Sequence, residues 1–165
     1  MSETPVADRA YKHAYHDTPV REFHEVFDHP VSYDPKSIPD IKVRVLRVQM
    51  LASELVELAR AMGVRLVVDS EVSGNEDDAV VCQAGTEAYD QVEAADALGD
   101  LRYIVDGGNL VCGFPGDLVL REIHASNMSK LGADGQPVRR EDGKILKGPN
   151  YRKPDIKAVL YGKEK

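Results

Sequence analysis

Acidic side chains recur at helical spacing in two segments of this chain, and carboxylates arranged in that way are ligands for a divalent cation. In the segment ASELVELARAMG (52–63), Glu54 and Glu57 are one turn apart. At about 100° per residue, both fall among apolar neighbours such as Leu46 and Met50. The polar side of the same helix is marked by Lys42, Gln49, Ser53 and Arg60. Both glutamates are therefore expected to turn away from solvent, toward the interior or a groove.

A second helical segment shows the same pattern. At about 100° per residue, Glu93, Asp96 and Asp100 gather beside Ile104, away from the polar side that contains Arg102. Two helices are therefore expected to direct acids toward the interior or toward a groove.

Inward-facing carboxylates require compensation, because burying an unpaired charge costs on the order of several kcal/mol. Arg44 and Arg47 lie on the inward side of the earlier helix, and two arginines cannot neutralise five acids. Mg²⁺ binds carboxylate oxygens in octahedral geometry and keeps positions open for water or phosphate. The residues therefore predict a magnesium site. The alternative is that helix packing turns these faces outward and leaves a solvated acidic stripe.

A third group of polar side chains is basic and follows residue 120. His124 and Asn127 are three residues apart and share one side of a helix, and Lys130 can reach the same region from the helix end. Asn and Lys donate hydrogen bonds to phosphate oxygens, and Lys acts there as a point charge. The glycine-containing loop that follows could fold over an anion with four cations: Arg139, Arg140, Lys144 and Lys147. The alternative is a solvated basic tail.

Charge is distributed unevenly along the chain. Residues 1–120 contain 10 Lys and Arg against 22 Asp and Glu, and residues 121–165 contain 11 against 6. An acidic body repels nucleic acid, whereas a basic tail beside it suits a small polyanion bridged by metal. Chance patterning of surface charge is the alternative interpretation.

Length and composition bound the class of protein. A chain of 165 residues fits one domain, here residues 18–165 after a flexible N-terminal arm at 1–17. Aromatic residues are 6% and Trp is absent, so the core is aliphatic, which favours helices. Cys82 and Cys112 lack the spacing of a disulfide framework or a zinc site and are interpreted as reduced and intracellular. No apolar run approaches the roughly 20 residues that cross a bilayer.

Capping and turn residues place the secondary structure. Thr18 and Asp40 are predicted N-caps, and Gly63 is predicted to end the helix that begins at Asp40. The β-branched runs VRLVVD and AVVCQ flank a polar loop and predict a two-stranded insertion at about 64–83. The other predicted segments are an extended connection at 31–39, a helix from 86 to about 107 or beyond, a helix from 117 to about 130, and a short helix after Pro154.

Most of residues 20–156 resembles the all-α nucleoside triphosphate pyrophosphohydrolase superfamily, which includes MazG and phosphoribosyl-ATP pyrophosphohydrolase. The resemblance is strongest to the MazG-like branch of phages and bacteria. The matching stretches are VREFHEVF, LRVQMLASELVELARAMG, DALGDLRYIVDGG and, most specifically, EIHASNMSKLGADGQPVRREDGKILKGPNYRKPD. The resemblance implies an antiparallel bundle of four to five helices, here with the β-hairpin insertion and an irregular basic C-terminal tail. It also implies a cytoplasmic homo-oligomer, either a dimer or a dimer of dimers. The predicted Asp40 helix, apolar around most of its circumference, independently favours an oligomer.

The activity implied by the resemblance is Mg²⁺-dependent hydrolysis of a nucleoside triphosphate, preferentially a deoxynucleotide, to the monophosphate and pyrophosphate, with Mn²⁺ able to substitute. The superfamily places Glu-Glu-x-x-Glu on one helix and Glu-x-x-Asp on the next. Carried over, Glu54 and Glu57 are catalytic residues and metal ligands, and Asp100 is a further ligand. The implied substrate-binding residues are Asn127, Lys130, Arg139, Arg140, Lys147 and Tyr151. The implied supporting residues are Arg47, Glu93 and His124.

Two positions depart from the superfamily pattern. Ser53 replaces the first glutamate, and Ala97 replaces the glutamate three residues before Asp100, where Asp96 is expected to substitute as the fourth ligand. The first glutamate is a candidate for orienting the attacking water. Its loss transfers the base role to Glu54 or Glu57, leaves metal-bound hydroxide sufficient, or weakens catalysis. These departures leave open a nucleotide-binding regulator without turnover, and a purely structural acidic helical protein remains a third class.

Overall fold

Helices form most of the regular structure in the computed structural model, which describes residues 19–68, 79–141 and 143–162. The five helices in these residues are α1 (Pro19–Val26), α2 (Ile41–Ala61), α3 (Gln91–Cys112), α4 (Gly116–Met128) and α5 (Ile156–Tyr161), and the two strands are β1 (Val64–Val68) and β2 (Val80–Ala84). This confirms the predicted all-α class with a small hairpin. No helix in the described ranges is long and apolar enough to span a membrane. The predicted arm at 1–17 and the N-cap Thr18 lie outside the described residues.

The backbone forms two compact units. One consists of Met1–Ile38 with Asn109–Lys165, and the other of Pro39–Gly108. All five acids singled out in the sequence belong to the second unit, and the basic residues after 120 belong to the first. The single domain at 18–165 stays a prediction.

Helix α2 begins and ends where its capping residues predict. The Asp40 carboxylate accepts a hydrogen bond of 2.8 Å from the Lys42 backbone amide, which satisfies one of the unpaired donors of the first turn. After Ala61 the chain leaves the helix through Gly63, whose φ of +65° lies in the left-handed region that favours glycine. The result is a helix of 21 residues that presents Glu54 and Glu57 from its C-terminal half.

The hairpin returns the chain to the end of α2. Strands β1 and β2 pair antiparallel, with Val64 opposite Ala84 and Val68 opposite Val80. Beyond the last pair, the Gly85 amide donates to the Gly63 carbonyl at 2.7 Å, and β1 packs against α2. A two-stranded hairpin is marginal alone, and this packing supplies the support that it needs.

Helix α3 starts later than predicted, and its end agrees with the prediction that it reaches about residue 107 or beyond. Its first residue is Gln91 rather than Thr86, because Asp90 caps it by accepting hydrogen bonds from the amides of Val92 (3.0 Å) and Glu93 (3.2 Å). The Asp90 amide in turn donates to the Ala61 carbonyl at 2.8 Å, so residues 86–89 are used in the connection. The helix continues past residue 107 to Cys112.

The other unit has a small core beneath α1. Val20 is buried against Leu110, with Val31 packed beside them. His24 is also buried, and its Nδ1 donates to the Pro30 carbonyl at 3.0 Å. No helix or strand occurs between 29 and 40, which confirms the predicted connection at 31–39.

The chain after α4 is irregular apart from one antiparallel bridge between Arg139 and Ile145. It is fastened to α4 by Ser126, whose hydroxyl donates to the Arg152 carbonyl at 2.8 Å, and by an ion pair between Arg152 and Glu122. The hydrogen bond to Glu122 raises the pKa of the Arg152 guanidinium, which favours its charged form. The segment then enters α5, which confirms the predicted short helix after Pro154.

We expect Gly63→Ala to destabilise the protein by about 1 to 3 kcal/mol, because the left-handed φ disfavours a side chain. An added Cβ would also lie 2.7 Å from the Glu87 carbonyl oxygen. Gly99→Ala is the matched control, since Gly99 is within α3 and nothing lies within 4 Å of its added Cβ. Alanine there should stabilise by about 0.5 to 1 kcal/mol. Urea unfolding measures both, and equal effects of the two substitutions would contradict the role of Gly63.

Candidate active site

Glu54 is the centre of the acidic cluster. Its side chain is half-buried on α2, and its Oε2 atom is buried without accepting a hydrogen bond from any residue in the described ranges. A buried carboxylate oxygen without a donor is costly, because nothing replaces the water that it has lost. The position therefore favours a proton or a cation.

Three other acids act on Glu54. Burial raises the pKa of the Glu54 carboxyl above its ordinary value, and the negative charges of Glu57, Asp100 and Asp96 raise this pKa further. Like charges have such an effect only at short range. The structure thus brings together the four acids that the sequence assigned to one site, two from α2 and two from α3.

The four acids differ in exposure. Glu57, Asp96 and Asp100 are exposed, whereas Glu54 is half-buried. The prediction that the acids of both helices turn away from solvent is therefore correct for Glu54 and wrong for the other four, which are exposed: Glu57, Glu93, Asp96 and Asp100. The helical wheel gives the face of the helix on which each acid lies. It does not show how far neighbouring elements bury that acid.

The donor set suits a divalent cation in chemistry but is not assembled in ligating geometry. Carboxylate oxygens are hard ligands of the kind that Mg²⁺ and Mn²⁺ bind, and the uncompensated Glu54 oxygen favours positive charge. Within residues 19–68, 79–141 and 143–162, no three His, Cys, Asp or Glu side chains are placed so that they could hold a metal ion.

The two positions that depart from the superfamily pattern have different surroundings. The Ser53 hydroxyl donates to the Gln49 carbonyl one turn earlier at 3.1 Å, so it is engaged by its own helix. Ala97 is buried, at 4% exposure, whereas Asp96 is exposed and contributes to the charge at Glu54. These surroundings fit Asp96 as the acidic residue of this turn of α3.

A cavity of about 270 Å³ adjoins the cluster where α2 ends and α3 begins. Its lining residues are Glu57, Arg60, Ala61, Glu87, Ala88, Asp90 and Glu93. The sequence placed Glu93 near the site but gave no role to Glu87 or Asp90, and it assigned Arg60 to the side in water. Asp is a preferred N-cap residue, so Asp90 could have been recognised from the sequence as the start of a helix beginning at Gln91.

The candidate phosphate-binding residues lie in the other compact unit. His124 and Asn127 are exposed on α4, and Lys130 is half-buried just after this helix. The cations that follow, Arg139, Arg140 and Lys147, are exposed in the irregular segment, and the Lys147 ammonium stacks over the Tyr151 ring at 4.8 Å. Arg47, in contrast, is half-buried on α2 with the acids.

Comparison with known proteins identifies the family. The family model described as phosphoribosyl-ATP pyrophosphohydrolase matches residues 20–127, which include both acidic helices. The chain belongs to this family. No curated protein matches it.

One solved structure among those that match is described as a putative NTP pyrophosphohydrolase from Exiguobacterium sp. 255-15. It is 27% identical, the alignment covers 96% of this chain and 95% of that chain, and the TM-score is 0.38. The family assignment rests on the match over residues 20–127.

Membership of the phosphoribosyl-ATP pyrophosphohydrolase family confirms the resemblance to the MazG-like superfamily, and it identifies the protein as a pyrophosphohydrolase. All four clustered acids lie within the matched residues, as does Asn127 at their end. Lys130 and the cations after it follow the matched range.

We expect Glu54→Gln to raise the melting temperature of the metal-free protein at neutral pH. The folded-state pKa of Glu54 is raised, so its ionisation disfavours the folded state. That loss of stability develops as pH rises from the ordinary carboxyl pKa to the folded-state pKa. The gain in melting temperature from the substitution should therefore shrink toward pH 4.

Circular dichroism melts in EDTA at pH 4 and pH 7.5 measure this dependence. Glu22→Gln, at an exposed glutamate of α1, is the control and should change the melting temperature little at either pH. If Glu54→Gln melts at a lower temperature than wild type at pH 7.5, ionisation of Glu54 does not destabilise the folded protein, and this prediction is wrong.

Proposed function

We propose that the protein hydrolyses a nucleoside triphosphate to the monophosphate and pyrophosphate with Mg²⁺, and that Mn²⁺ can replace Mg²⁺. The observation that supports this most is that Glu54, whose buried Oε2 has no donor in the described residues, lies near enough to three other acids for their charges to raise its pKa, in a member of a pyrophosphohydrolase family. The α–β phosphoanhydride is the bond whose hydrolysis yields these two products.

The metal would be held by Glu54, Glu57, Asp96 and Asp100. When bound, a divalent cation neutralises phosphate charge and lowers the pKa of a coordinated water. The protein itself would supply the proton acceptor, and we assign this role to Glu54, whose Oε2 atom has no hydrogen-bond donor in the described residues. Glu57, which is exposed and lines the adjoining cavity, orients the attacking water.

The phosphate chain requires donors as well as metal. We assign this role by chemistry to residues of the basic segment, with Lys130 as a point charge and Asn127 as a hydrogen-bond donor. The further candidates are Arg139, Arg140, Lys147 and Tyr151, with His124 in support. A deoxynucleoside triphosphate is the proposed substrate, and release of pyrophosphate across a panel of NTPs and dNTPs tests both the reaction and the preference.

Apolar exposure on α2 supports a homo-oligomer, a dimer or a dimer of dimers. The large hydrophobic side chains of this helix that are exposed are Ile41, Val45, Leu46, Val48, Leu55 and Val56. Monomeric soluble proteins rarely leave contiguous apolar surface of this kind uncovered. A second copy of the chain is the proposed cover.

A regulator that binds nucleotide without turnover is the second candidate, and Ser53 is the observation that favours it. Its hydroxyl is bonded to the helix backbone and supplies no carboxylate where the superfamily has one. The candidates differ in one measurement, because only the enzyme releases pyrophosphate.

Glu57→Gln should lower the rate of Mg²⁺-dependent pyrophosphate release by about 100-fold or more, because it removes a ligand and a water-orienting carboxylate. Glu57 is exposed, so the melting temperature should change by only a few degrees. A coupled phosphate assay measures the rate. Wild-type turnover that persists in the variant would exclude Glu57 from the site, and tight nucleotide binding without wild-type turnover would support the regulator.

Ser53→Glu should raise the catalytic rate constant about tenfold if the missing carboxylate limits catalysis, since general-base assistance contributes at least that much. Ser53 is exposed on α2, so a longer side chain can be accommodated. Gln49→Glu is the control, because it adds the same charge one turn earlier on the same side of the helix. Steady-state kinetics measures the catalytic rate constant of both variants. An equal effect of Ser53→Glu and Gln49→Glu would indicate a general electrostatic change rather than a restored catalytic carboxylate.

A further inference from the structure

A second cavity lies in the Pro39–Gly108 unit, where the last turns of α2 meet the hairpin. Its volume is about 400 Å³, which is within the range of small-molecule sites. The residues that line it are Val56, Ala59, Arg60, Gly63, Val64, Arg65, Leu66, Gln83, Ala84, Gly85, Thr86 and Glu87. We call it the hairpin cavity.

The walls of the hairpin cavity are fixed by backbone contacts. The Gly85 amide donates to the Gly63 carbonyl at 2.7 Å, and Val64 pairs with Ala84 at the adjacent position of the ladder. A Cβ on Gly85 would lie 2.9 Å from the Gly63 carbonyl oxygen, so this approach needs glycine. The cavity is therefore formed before a ligand arrives, which lowers the entropic cost of binding.

The hairpin cavity is basic. Among the described residues that line it, Arg60 and Arg65 are the cations and Glu87 is the single acid, and neither guanidinium forms an ion pair or hydrogen bond within the part of the chain that the structure describes. The cavity beside Glu57 shares Arg60 and Glu87 but adds Asp90 and Glu93, so its lining is acidic. Two neighbouring cavities of one unit thus have opposite charge.

An anion with an apolar body matches this lining. Guanidinium groups bind phosphate oxygens in a bidentate way, and two of them suit a dianion. Val56, Ala59 and Leu66 provide an apolar wall, and the Gln83 amide and Thr86 hydroxyl provide further donors and acceptors. A phosphate monoester of a small molecule combines these features.

We propose that the hairpin cavity is a second binding site, for a phosphate monoester, distinct from the four-acid cluster. Binding there requires neither metal nor turnover, so the proposal goes beyond the proposed reaction and does not depend on it. If the apolar wall contributes to binding, the ligand is a nucleoside monophosphate. If only the arginines contribute, inorganic phosphate is sufficient.

The test is isothermal titration of the full chain, in EDTA, with AMP and separately with inorganic phosphate. Wild type should bind at least one of them at submillimolar concentration. Arg65→Gln should weaken this binding about tenfold or more, as expected for loss of a charge-assisted hydrogen bond to phosphate. Arg102→Gln, at an exposed arginine of α3 that does not line the cavity, is the control and should bind as wild type does.

Tighter binding of AMP than of inorganic phosphate identifies a nucleotide site, and equal binding identifies a phosphate site. In ¹H–¹⁵N spectra the ligand should shift the amides of Gly63, Gly85 and Thr86. Glu57→Gln should keep the binding, because that residue does not line the hairpin cavity. Absence of binding of both probes at millimolar concentration, or equal loss in Arg65→Gln and Arg102→Gln, would overturn the proposal whether or not the protein hydrolyses nucleotides.

Discussion

The burial of Glu54 beside three other acids is the constraint on which the rest of the site depends. Glu54 Oε2 has no donor in the described residues, and burial, followed by the negative charges of Glu57, Asp100 and Asp96, raises the Glu54 pKa. Ionisation of Glu54 therefore lowers the stability of the folded protein when no cation is bound, because burial and the neighbouring charges both disfavour its charged form. Functional sites commonly have this property, since strain that is relieved by a ligand becomes affinity for that ligand.

The spacing of the cluster is set by backbone contacts rather than by the acids. Helix α3 begins just after Asp90, whose amide donates a hydrogen bond of 2.8 Å to the Ala61 carbonyl. Ala61 lies one helical turn after Glu57 on α2. The hairpin is closed at the same place by the bond from Gly85 to Gly63. Because α2 and α3 are joined directly at the base of the insertion, a hairpin of different length could be accommodated without moving the acids. Substitutions in the hairpin can therefore create a separate binding site without disturbing the acidic cluster.

Elements with local signals could be predicted from the sequence, and those decided by tertiary contacts could not. Asp40 and Gly63 bound α2 correctly because a cap and a left-handed residue act within a few positions. Thr86 and Asp90 are both acceptable caps, and the hydrogen bond from Asp90 to Ala61 decides between them. In the candidate site, the wheel placed Arg60 on the side in water, and Arg60 is exposed. The wheel contains no information about the hairpin that returns beside α2, so it could not predict the cavity that Arg60 lines there.

The exposure of three of the four acids has a consequence for how a metal would act under the proposed function. Glu57, Asp96 and Asp100 are solvated, and no three acids in the described ranges are placed to hold an ion. Mg²⁺ bound by such a set keeps several positions for water or phosphate, and it dehydrates reluctantly. If the four acids hold such an ion, a triphosphate would supply oxygens to the positions that the protein leaves open. Binding of the metal and of the nucleotide would then be coupled, and linkage requires each to raise the affinity for the other by the same factor.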